Sequence, residues 1–230
     1  MVKGKRYTDA VVRFDQEHQH SAHEALELVK GFSGAKFDES IDVAIRLGVD
    51  PRKPEEMIRG TVALPSGTGK DVRIAVFAQG AAATAARDAG ADYVGGDELA
   101  AEVEGGMLDF DVAIASPDMM PTVGKLGRVL GPRGLMPNPK TGTVTDDVAK
   151  AVEEFKGGKV EFRTDRYGNV HVPIGKVGFE VDAVHANLRA VVDELVRRKP
   201  SASKGRFVRK VSVSSTMGPG VRIDPVLVDE

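Results

Sequence analysis

The segment 131–140 has the residue types to present positive charge to an anionic partner. Two glycines and three prolines surround the apolar pair Leu135-Met136, and Arg133 and Lys140 supply the cations. Because each proline fixes its own φ and biases the preceding residue toward extended geometry, the pattern predicts a stiff loop that is neither helix nor strand. Composition leaves two interpretations open: a rigid connector between two elements, or a surface that binds an anion.

Two other short patterns could carry chemistry, and neither meets the requirements. Gly67-Thr68-Gly69-Lys70 resembles the end of a phosphate-binding loop, but Leu64 and Asp71 stand where that motif requires a glycine and a Ser or Thr. This favours a linker over a nucleotide site. Three histidines have a spacing that could ligate a metal: His18, His20 and His23. The chain has no cysteine, and because a helix is predicted to begin at Ser21, between these histidines, the imidazoles need not converge. This favours a surface cluster over a zinc site.

Two loops contain residues that could contact RNA. Lys36-Phe37 places a cation beside an aromatic ring in a glycine-flanked loop, where the ring could stack on a base or, alternatively, belong to the core. The segment 214–220 offers short hydroxyls for ribose 2′-hydroxyl groups, the adaptable side chain of Met217, and Gly218, which permits close backbone approach. On sequence alone, this second segment is equally compatible with a polar turn between strands.

Local patterns predict the elements that must position these loops. The capping box Ser21-x-x-Glu24 opens a helix through about Val29, and Gly31 or Gly34 ends it. The other elements predicted in the terminal segments are a half-buried strand at 41–47, a hairpin whose strands at 160–163 and 169–172 flank a turn at 165–168, a helix at 181–198, and a last strand from 208 to 213.

Residues 67–159 show a different pattern. Short apolar runs at 72–78 and 112–115 are typical of buried parallel strands, and alanine-rich stretches at 81–89 and 97–104 predict helices between them. Strands that alternate with helices predict a doubly wound, Rossmann-like α/β unit. The economical architecture is therefore an α+β sandwich built from residues 1–66 and 160–230, with an α/β domain of residues 67–159 inserted into it.

Composition and charge restrict the function classes. The net charge of −2 argues against a nucleic-acid binder, but it is uneven along the chain. Residues 1–66 carry 10 cations and 11 anions, residues 160–230 carry 12 and 9, and residues 67–159 carry 10 and 14. The terminal segments are thus the better candidate for binding an anionic partner. No apolar run reaches the roughly 18 residues of a membrane span, and no secretory signal is visible, so we expect a cytoplasmic protein without membrane contact.

Four long segments resemble one known family. The run 124–145, which contains the segment 131–140, resembles the signature of the bacterial large-subunit ribosomal protein L-one family. The segments 35–43, 160–176 and 214–220 resemble the same family and occur in the same order. The resemblance implies the same two-domain layout and a non-enzymatic protein, without cofactor or metal, that is a monomer when free.

The resemblance also implies partners and contact residues. The expected partners are large-subunit ribosomal RNA at the mobile stalk, transfer RNA leaving the exit site, and the messenger RNA of the protein's own operon, whose translation it would repress. The implied RNA contacts of the terminal domain are Lys36, Phe37, Ser40, Glu161, Arg163, Arg166, His171, Ser214, Thr216, Met217, Gly218 and Pro219. The implied secondary contacts with RNA or transfer RNA are Arg133, Met136 and Lys140.

Two questions stay open at this level. Arg163 and His171 could lie on the same sheet face or on opposite faces. The rival function is a small-molecule-binding or catalytic α/β protein centred on residues 67–159, which would need a pocket with convergent polar groups.

Overall fold

The computed structural model describes residues 4–201 and 203–226. Its α-helices are α1 (Lys5–Val12), α2 (Ala22–Phe32), α3 (Gly80–Asp88), α4 (Asp97–Glu104), α5 (Met120–Lys125), α6 (Gly127–Arg133), α7 (Val148–Lys156) and α8 (Val181–Arg197). Its strands are β1 (Ser40–Leu47), β2 (Arg59–Ala63), β3 (Ile74–Phe77), β4 (Tyr93–Gly95), β5 (Val112–Ala115), β6 (Lys159–Arg163), β7 (Asn169–Lys176), β8 (Val208–Ser215) and β9 (Val221–Ile223). The chain forms two compact units, Met1–Gly69 with Val160–Glu230 (the terminal unit) and Lys70–Lys159 (the inserted unit).

The terminal unit is built on a four-stranded antiparallel sheet in the order β7-β1-β8-β9. In β1 the apolar side chains alternate with polar ones, so that Ile41, Val43 and Ile45 are fully buried on one face. Helices α2 and α8 cover that face and contribute to the same core. As predicted, Ser21 caps α2 by accepting a hydrogen bond from the Glu24 amide at 3.3 Å. On the other face of β1, Asp42 and Arg46 are exposed and Ala44 is partly exposed.

The predicted hairpin forms beside its turn, where Thr164 and Val170 make an antiparallel bridge, but the prediction that its two strands pair along their length is wrong. The turn itself forms, because Asp165 Oδ1 accepts hydrogen bonds from the amides of Tyr167 and Asn169, both at 2.8 Å. However, β6 pairs with β2 in a separate two-stranded sheet, whereas β7 pairs with β1. Phe162 of β6 and Val170 of β7 enter the same core from these two sheets. Local alternation identifies a strand but not its partner, and burial against a shared core decided the pairing.

The inserted unit has the predicted doubly wound topology. Strands β4, β3 and β5 form a parallel sheet with β3 in the centre, and every residue of β3 is buried. Helices α3 and α7 pack on one face, while α4, α5 and α6 pack on the other. The predicted fold class, which combines α/β and α+β parts, is therefore confirmed.

The prediction that 131–140 is entirely non-helical is wrong. Residues 131–133 form the end of α6, with Pro132 inside the helix. The fixed φ of proline is compatible with a helix, and the buried Leu130 anchors this helix in the core. Gly134 then ends α6 in the left-handed conformation, with φ of 73°. The sequence patterns also missed α1 and the three-residue strands β4 and β9, which are too short to show a period.

Candidate nucleic-acid interface

A buried carboxylate joins the two loops that the sequence singled out. The side chain of Glu39 is 2% exposed. Its Oε1 accepts hydrogen bonds from the amides of Gly34 and Ala35 at 3.2 and 3.1 Å, and its Oε2 accepts one from the amide of Met217 at 3.0 Å. One side chain therefore holds the Lys36-Phe37 loop against the loop that follows β8.

The protonation state of Glu39 agrees with this arrangement. Burial raises the pKa of the carboxyl group, because the charged form loses hydration. The hydrogen bonds from backbone amides, led by that of Met217, act in the opposite direction and leave the pKa below its ordinary value of 4.5. The group is thus ionised at neutral pH, as an acceptor of three N–H groups must be.

Hydrogen bonds at the edge of β1 reinforce the link. The hydroxyl of Thr216 accepts a hydrogen bond from the Ser40 amide at 3.0 Å and donates one to the Ser40 carbonyl at 3.3 Å. On the other side of Ser40, Lys176 Nζ donates to its hydroxyl at 3.0 Å. The donor of Thr216 is therefore engaged within the protein, so this residue holds the loop in place in addition to lying at the surface.

The tips of both loops expose apolar side chains. Phe37 is 53% exposed and Met217 is 66% exposed, although both are large hydrophobic residues. Gly218 donates its amide to the Ser215 carbonyl at 3.2 Å, and a Cβ at this position would lie 2.5 Å from Ser215 Oγ. A larger residue at position 218 would therefore displace the Ser215 hydroxyl beneath the turn that presents Met217, and Pro219 follows directly. Exposed apolar groups on an ordered turn are typical of a binding surface.

The N-terminal helix contributes a residue that the sequence did not indicate. Arg6 of α1 donates a hydrogen bond to the Gly34 carbonyl at 2.7 Å. Arg6 and Tyr7 line a pocket together with Glu39 and Met217. Residues 34–35 and 218–219 of the two loops complete its lining. Neither Arg6 nor Glu39 could be found from local periodicity, because their partners are remote in sequence.

The solvent face of the four-stranded sheet adjoins the two loops that Glu39 holds together. The strand register places Asp42 beside Ser214, and Ala44 between His171 and Ser212. All of these lie on the face opposite the buried Ile41 and Val43, because side chains alternate along a strand. His171, whose side chain is 64% exposed, thus shares a face with the loop-proximal residues Ser40 and Ser214.

The structure does not bring three of the candidate residues to this end of the sheet. Glu161 lies on β6 and forms an ion pair with Arg59 at 2.6 Å. Arg163 ends the same strand, and Arg166 lies in the turn that follows. That turn joins the opposite end of β1, where the Leu47 amide donates to the Gly168 carbonyl. Arg163 and His171 therefore belong to different sheets.

In the inserted unit, Arg133 and Lys140 are exposed at the two ends of one loop. The Asn138 side chain accepts the Lys140 amide at 2.8 Å, and the buried Thr143 hydroxyl accepts the Asn138 amide at 2.8 Å, which fixes the loop backbone. Met136 is partly buried and packs against the core that includes Leu130. Arg133 and Lys140 are thus presented to solvent, whereas Met136 mainly anchors the loop.

The other chemical candidates do not form sites. Among the described residues, no group of three or more His, Cys, Asp or Glu side chains could hold a metal ion. His20 is 7% exposed, whereas the side chain of His23 is 52% exposed on α2. Within residues 4–201 and 203–226, no helix is long and apolar enough to cross a membrane.

Comparison with known proteins gives a consistent result. The profile of the ribosomal protein L1p/L10e family matches residues 29–219. The chain is 62% identical over 226 residues to large ribosomal subunit protein uL1 of Cutibacterium acnes, which covers 98% of this chain and 97% of the relative. It is 58% identical to the protein of the same name from Corynebacterium efficiens, over 96% of this chain and 93% of the relative. The protein of that name from Thermobifida fusca is 56% identical, over 98% and 96%.

Proposed function

This chain belongs to the ribosomal protein L1p/L10e family, and from that premise we propose that its terminal unit binds large-subunit ribosomal RNA at the mobile stalk near the exit site. The resemblance stated from the sequence is confirmed. The protein is a structural component of the large ribosomal subunit, and hence of the cytoplasm, and it is not an enzyme. Family membership therefore removes the catalytic alternative centred on residues 67–159.

The observation that supports the proposal best is the bridge made by Glu39. It holds exposed Phe37 and exposed Met217 on neighbouring, ordered loops. An aromatic ring can stack on an unpaired base, which contributes about 1–3 kcal/mol per base, and a thioether adapts to a sugar or base surface. A pre-ordered pair of such groups suits an irregular, folded RNA better than a regular duplex.

We propose that the cations at the far end of the sheet contact phosphates of the same RNA. Strand β1 has eight residues, so its ends are separated by about 23 Å at 3.3 Å per residue. A folded RNA that lies along the solvent face could reach Phe37 at one end and Arg166 at the other. In this arrangement Arg163 and Arg166 attract the RNA, whereas the Glu39-bridged loops select its shape.

The direct test is binding of a fragment of the ribosomal RNA stalk, compared with an unrelated structured RNA of equal length at several salt concentrations. We expect tight binding of the stalk fragment that survives moderate salt, because shape and base contacts are less sensitive to salt than phosphate contacts. Weak and equal binding of both RNAs, lost as salt rises, would show only nonspecific attraction and contradict the proposal.

A shortened chain tests which unit carries the main site. Replacing residues 70–158 with a short flexible linker leaves β2 and β6, which pair with each other, on either side of the join. We expect the shortened protein to fold and to bind the stalk fragment within about threefold of the full chain, a difference below 1 kcal/mol. A folded product without affinity would move the main site into the inserted unit.

For the inserted unit we propose contact with transfer RNA leaving the exit site. Four glycines lie in or directly after α5 and α6, at positions 124, 127, 131 and 134. A Cβ added at any of them would have no neighbouring atom within 4 Å, so they form a ridge without side chains. Lys125, Arg128 and Arg133 lie beside these glycines in α5 and α6, and Lys140 lies beyond the loop that follows α6. None of the four forms an ion pair within the described part of the chain. A smooth, cationic ridge supports close approach of a sugar–phosphate backbone.

Replacing both Arg133 and Lys140 with alanine should weaken binding of deacylated transfer RNA to ribosomes that carry the variant. Each lost phosphate contact should lower the slope of log affinity against log salt by about 1. Replacing Arg87 and Lys150 with alanine is the matched control, because both are exposed on α3 and α7, on the opposite face of the parallel sheet. If both double variants lost transfer RNA affinity equally, the effect would come from net charge and not from contacts made by Arg133 and Lys140.

We further propose that the messenger RNA of the protein's own operon binds the same terminal-unit surface and is thereby repressed. The support is that one pre-ordered pair of loops can recognise any RNA that folds to the same shape. The stalk fragment should then displace the messenger segment competitively. Simultaneous binding of both RNAs would contradict a shared site.

A further inference from the structure

Asp42 places a carboxylate in the middle of the surface proposed to bind RNA. It lies on β1, the second strand of the four-stranded sheet, with Pro173 and Ser214 as its register partners on β7 and β8. Its side chain points to the solvent face, since Ile41 and Val43 on either side are buried. An anion at this position requires an explanation, because most of an RNA surface carries negative charge.

No group within the described residues neutralises Asp42 directly. It has no hydrogen bond and no ion pair within 4 Å, although His171 and Lys176 lie near enough to act on it electrostatically. Partial burial raises the pKa of Asp42, and the nearby His171 and Lys176 act in the opposite direction. Asp42 is exposed on the solvent face, so its carboxylate still has its acceptor positions open.

Covering such a group with RNA is costly unless the RNA supplies donors. A carboxylate that is covered by RNA and faces phosphate would lose its hydration and gain repulsion. RNA offers donors in two chemical groups: the N1–H and amino group of a guanine, which match the two oxygens of a carboxylate, and the ribose 2′-hydroxyl. The neighbours Pro173 and Ser214 are short, so they leave room above Asp42.

We propose that Asp42 accepts hydrogen bonds from a donor group of the bound RNA, and so determines which RNA is bound. This inference rests on the proposed function of the terminal unit. Asp42 acts through selection, since a wrong RNA would leave the carboxylate covered and unpaired, which costs more than the correct contact contributes. The loop-tip residues supply contact area, and Asp42 supplies discrimination.

The test compares wild type with Asp42→Asn, which keeps the shape but removes the charge and one acceptor. We expect the variant to bind the stalk fragment about tenfold more weakly, a change of 1.4 kcal/mol, with an unchanged salt slope. Its discrimination against an unrelated structured RNA should fall by a similar factor. Asp193→Asn is the matched control, because Asp193 is exposed on α8, which packs against the other face of the sheet.

The two donor sources are separated by changing the RNA. Inosine in place of individual guanines removes the amino group, and single 2′-deoxy substitutions remove the hydroxyl. The true donor is the one whose removal weakens binding by wild type but not by Asp42→Asn. The proposal would be overturned if neither RNA substitution showed this dependence on Asp42. It would also be overturned if Asp42→Asn bound the stalk fragment as tightly as wild type or more tightly. Wild type that fails to prefer the stalk fragment would instead overturn the proposed function itself.

Discussion

Met217→Asp will lower the affinity for the ribosomal RNA stalk by about 100-fold, or nearly 3 kcal/mol, because it removes an apolar contact and places negative charge against RNA. The free energy of unfolding should change by less than about 0.5 kcal/mol, as expected for a surface position. Met217 is 66% exposed, and its hydrogen bond to Glu39 is made by its backbone amide, which the variant keeps. RNA titration and urea unfolding measure the two quantities separately.

Two further variants make this result specific. Met217→Leu keeps an apolar side chain of similar volume and should retain most of the affinity. Val196→Asp adds the same charge at another exposed apolar residue, on α8, and should leave RNA binding nearly unchanged. Unchanged affinity for Met217→Asp would remove the loop after β8 from the interface.

Glu39→Gln should weaken both stability and RNA binding. The amide nitrogen of glutamine cannot accept a hydrogen bond from the amides of Gly34 and Ala35 or from that of Met217, so at least one part-buried N–H loses its acceptor. An unsatisfied buried donor costs about 1–3 kcal/mol of unfolding free energy. Because the two loops would no longer be held together, the affinity for the stalk fragment should fall by about tenfold or more.

The stability difference between wild type and Glu39→Gln should depend on pH. The folded-state pKa of Glu39 lies below 4.5, so the carboxylate contributes its full stabilisation above that value and loses it as pH falls through the folded pKa. The free energies of unfolding of wild type and Glu39→Gln should therefore converge at acid pH. A difference that stays constant down to low pH would show that the ionised form is not what stabilises the loops.

Glu56→Gln is the matched control for RNA binding. Glu56 is also buried, and its Oε2 accepts the Asp50 amide at 2.7 Å, just beyond the end of β1 that is remote from Ser40. Its replacement should destabilise the protein without lowering the discrimination between the stalk fragment and an unrelated RNA, because the far end of the sheet is proposed to attract RNA and not to select its shape. If both variants weakened binding in proportion to their loss of stability, Glu39 would have no positioning role.

Much of the terminal unit was predictable from local pattern. Alternation of apolar and polar residues identified β1, because a strand with one buried face must alternate. The Ser21-x-x-Glu24 motif located the start of α2, because the first amides of a helix need acceptors. The alternating strands and helices of the inserted unit likewise indicated a parallel sheet with helices on both faces.

Where burial or long-range packing decided the outcome, local patterns failed. The turn at Asp165 was recognised, but β6 joined β2 and β7 joined β1, since both strands had to reach one core. Gly131 to Arg133 became helical despite Pro132, because Leu130 anchors α6. Glycine and proline content indicates how unfavourable a helix is locally, but it does not indicate which tertiary contacts stabilise that helix.

By itself, the sequence determined the class of fold and the family, and it indicated the individual segments that we propose bind RNA, since these depend on local spacing and on residue identity. The tertiary structure decided that the loops that carry Phe37 and Met217 are held together. That arrangement depends on the register of β1 with β8 and on one buried carboxylate, Glu39, whose hydrogen-bond partner Met217 lies 178 positions away. Contacts at such separation are set by the packing of the whole unit, which no local pattern encodes.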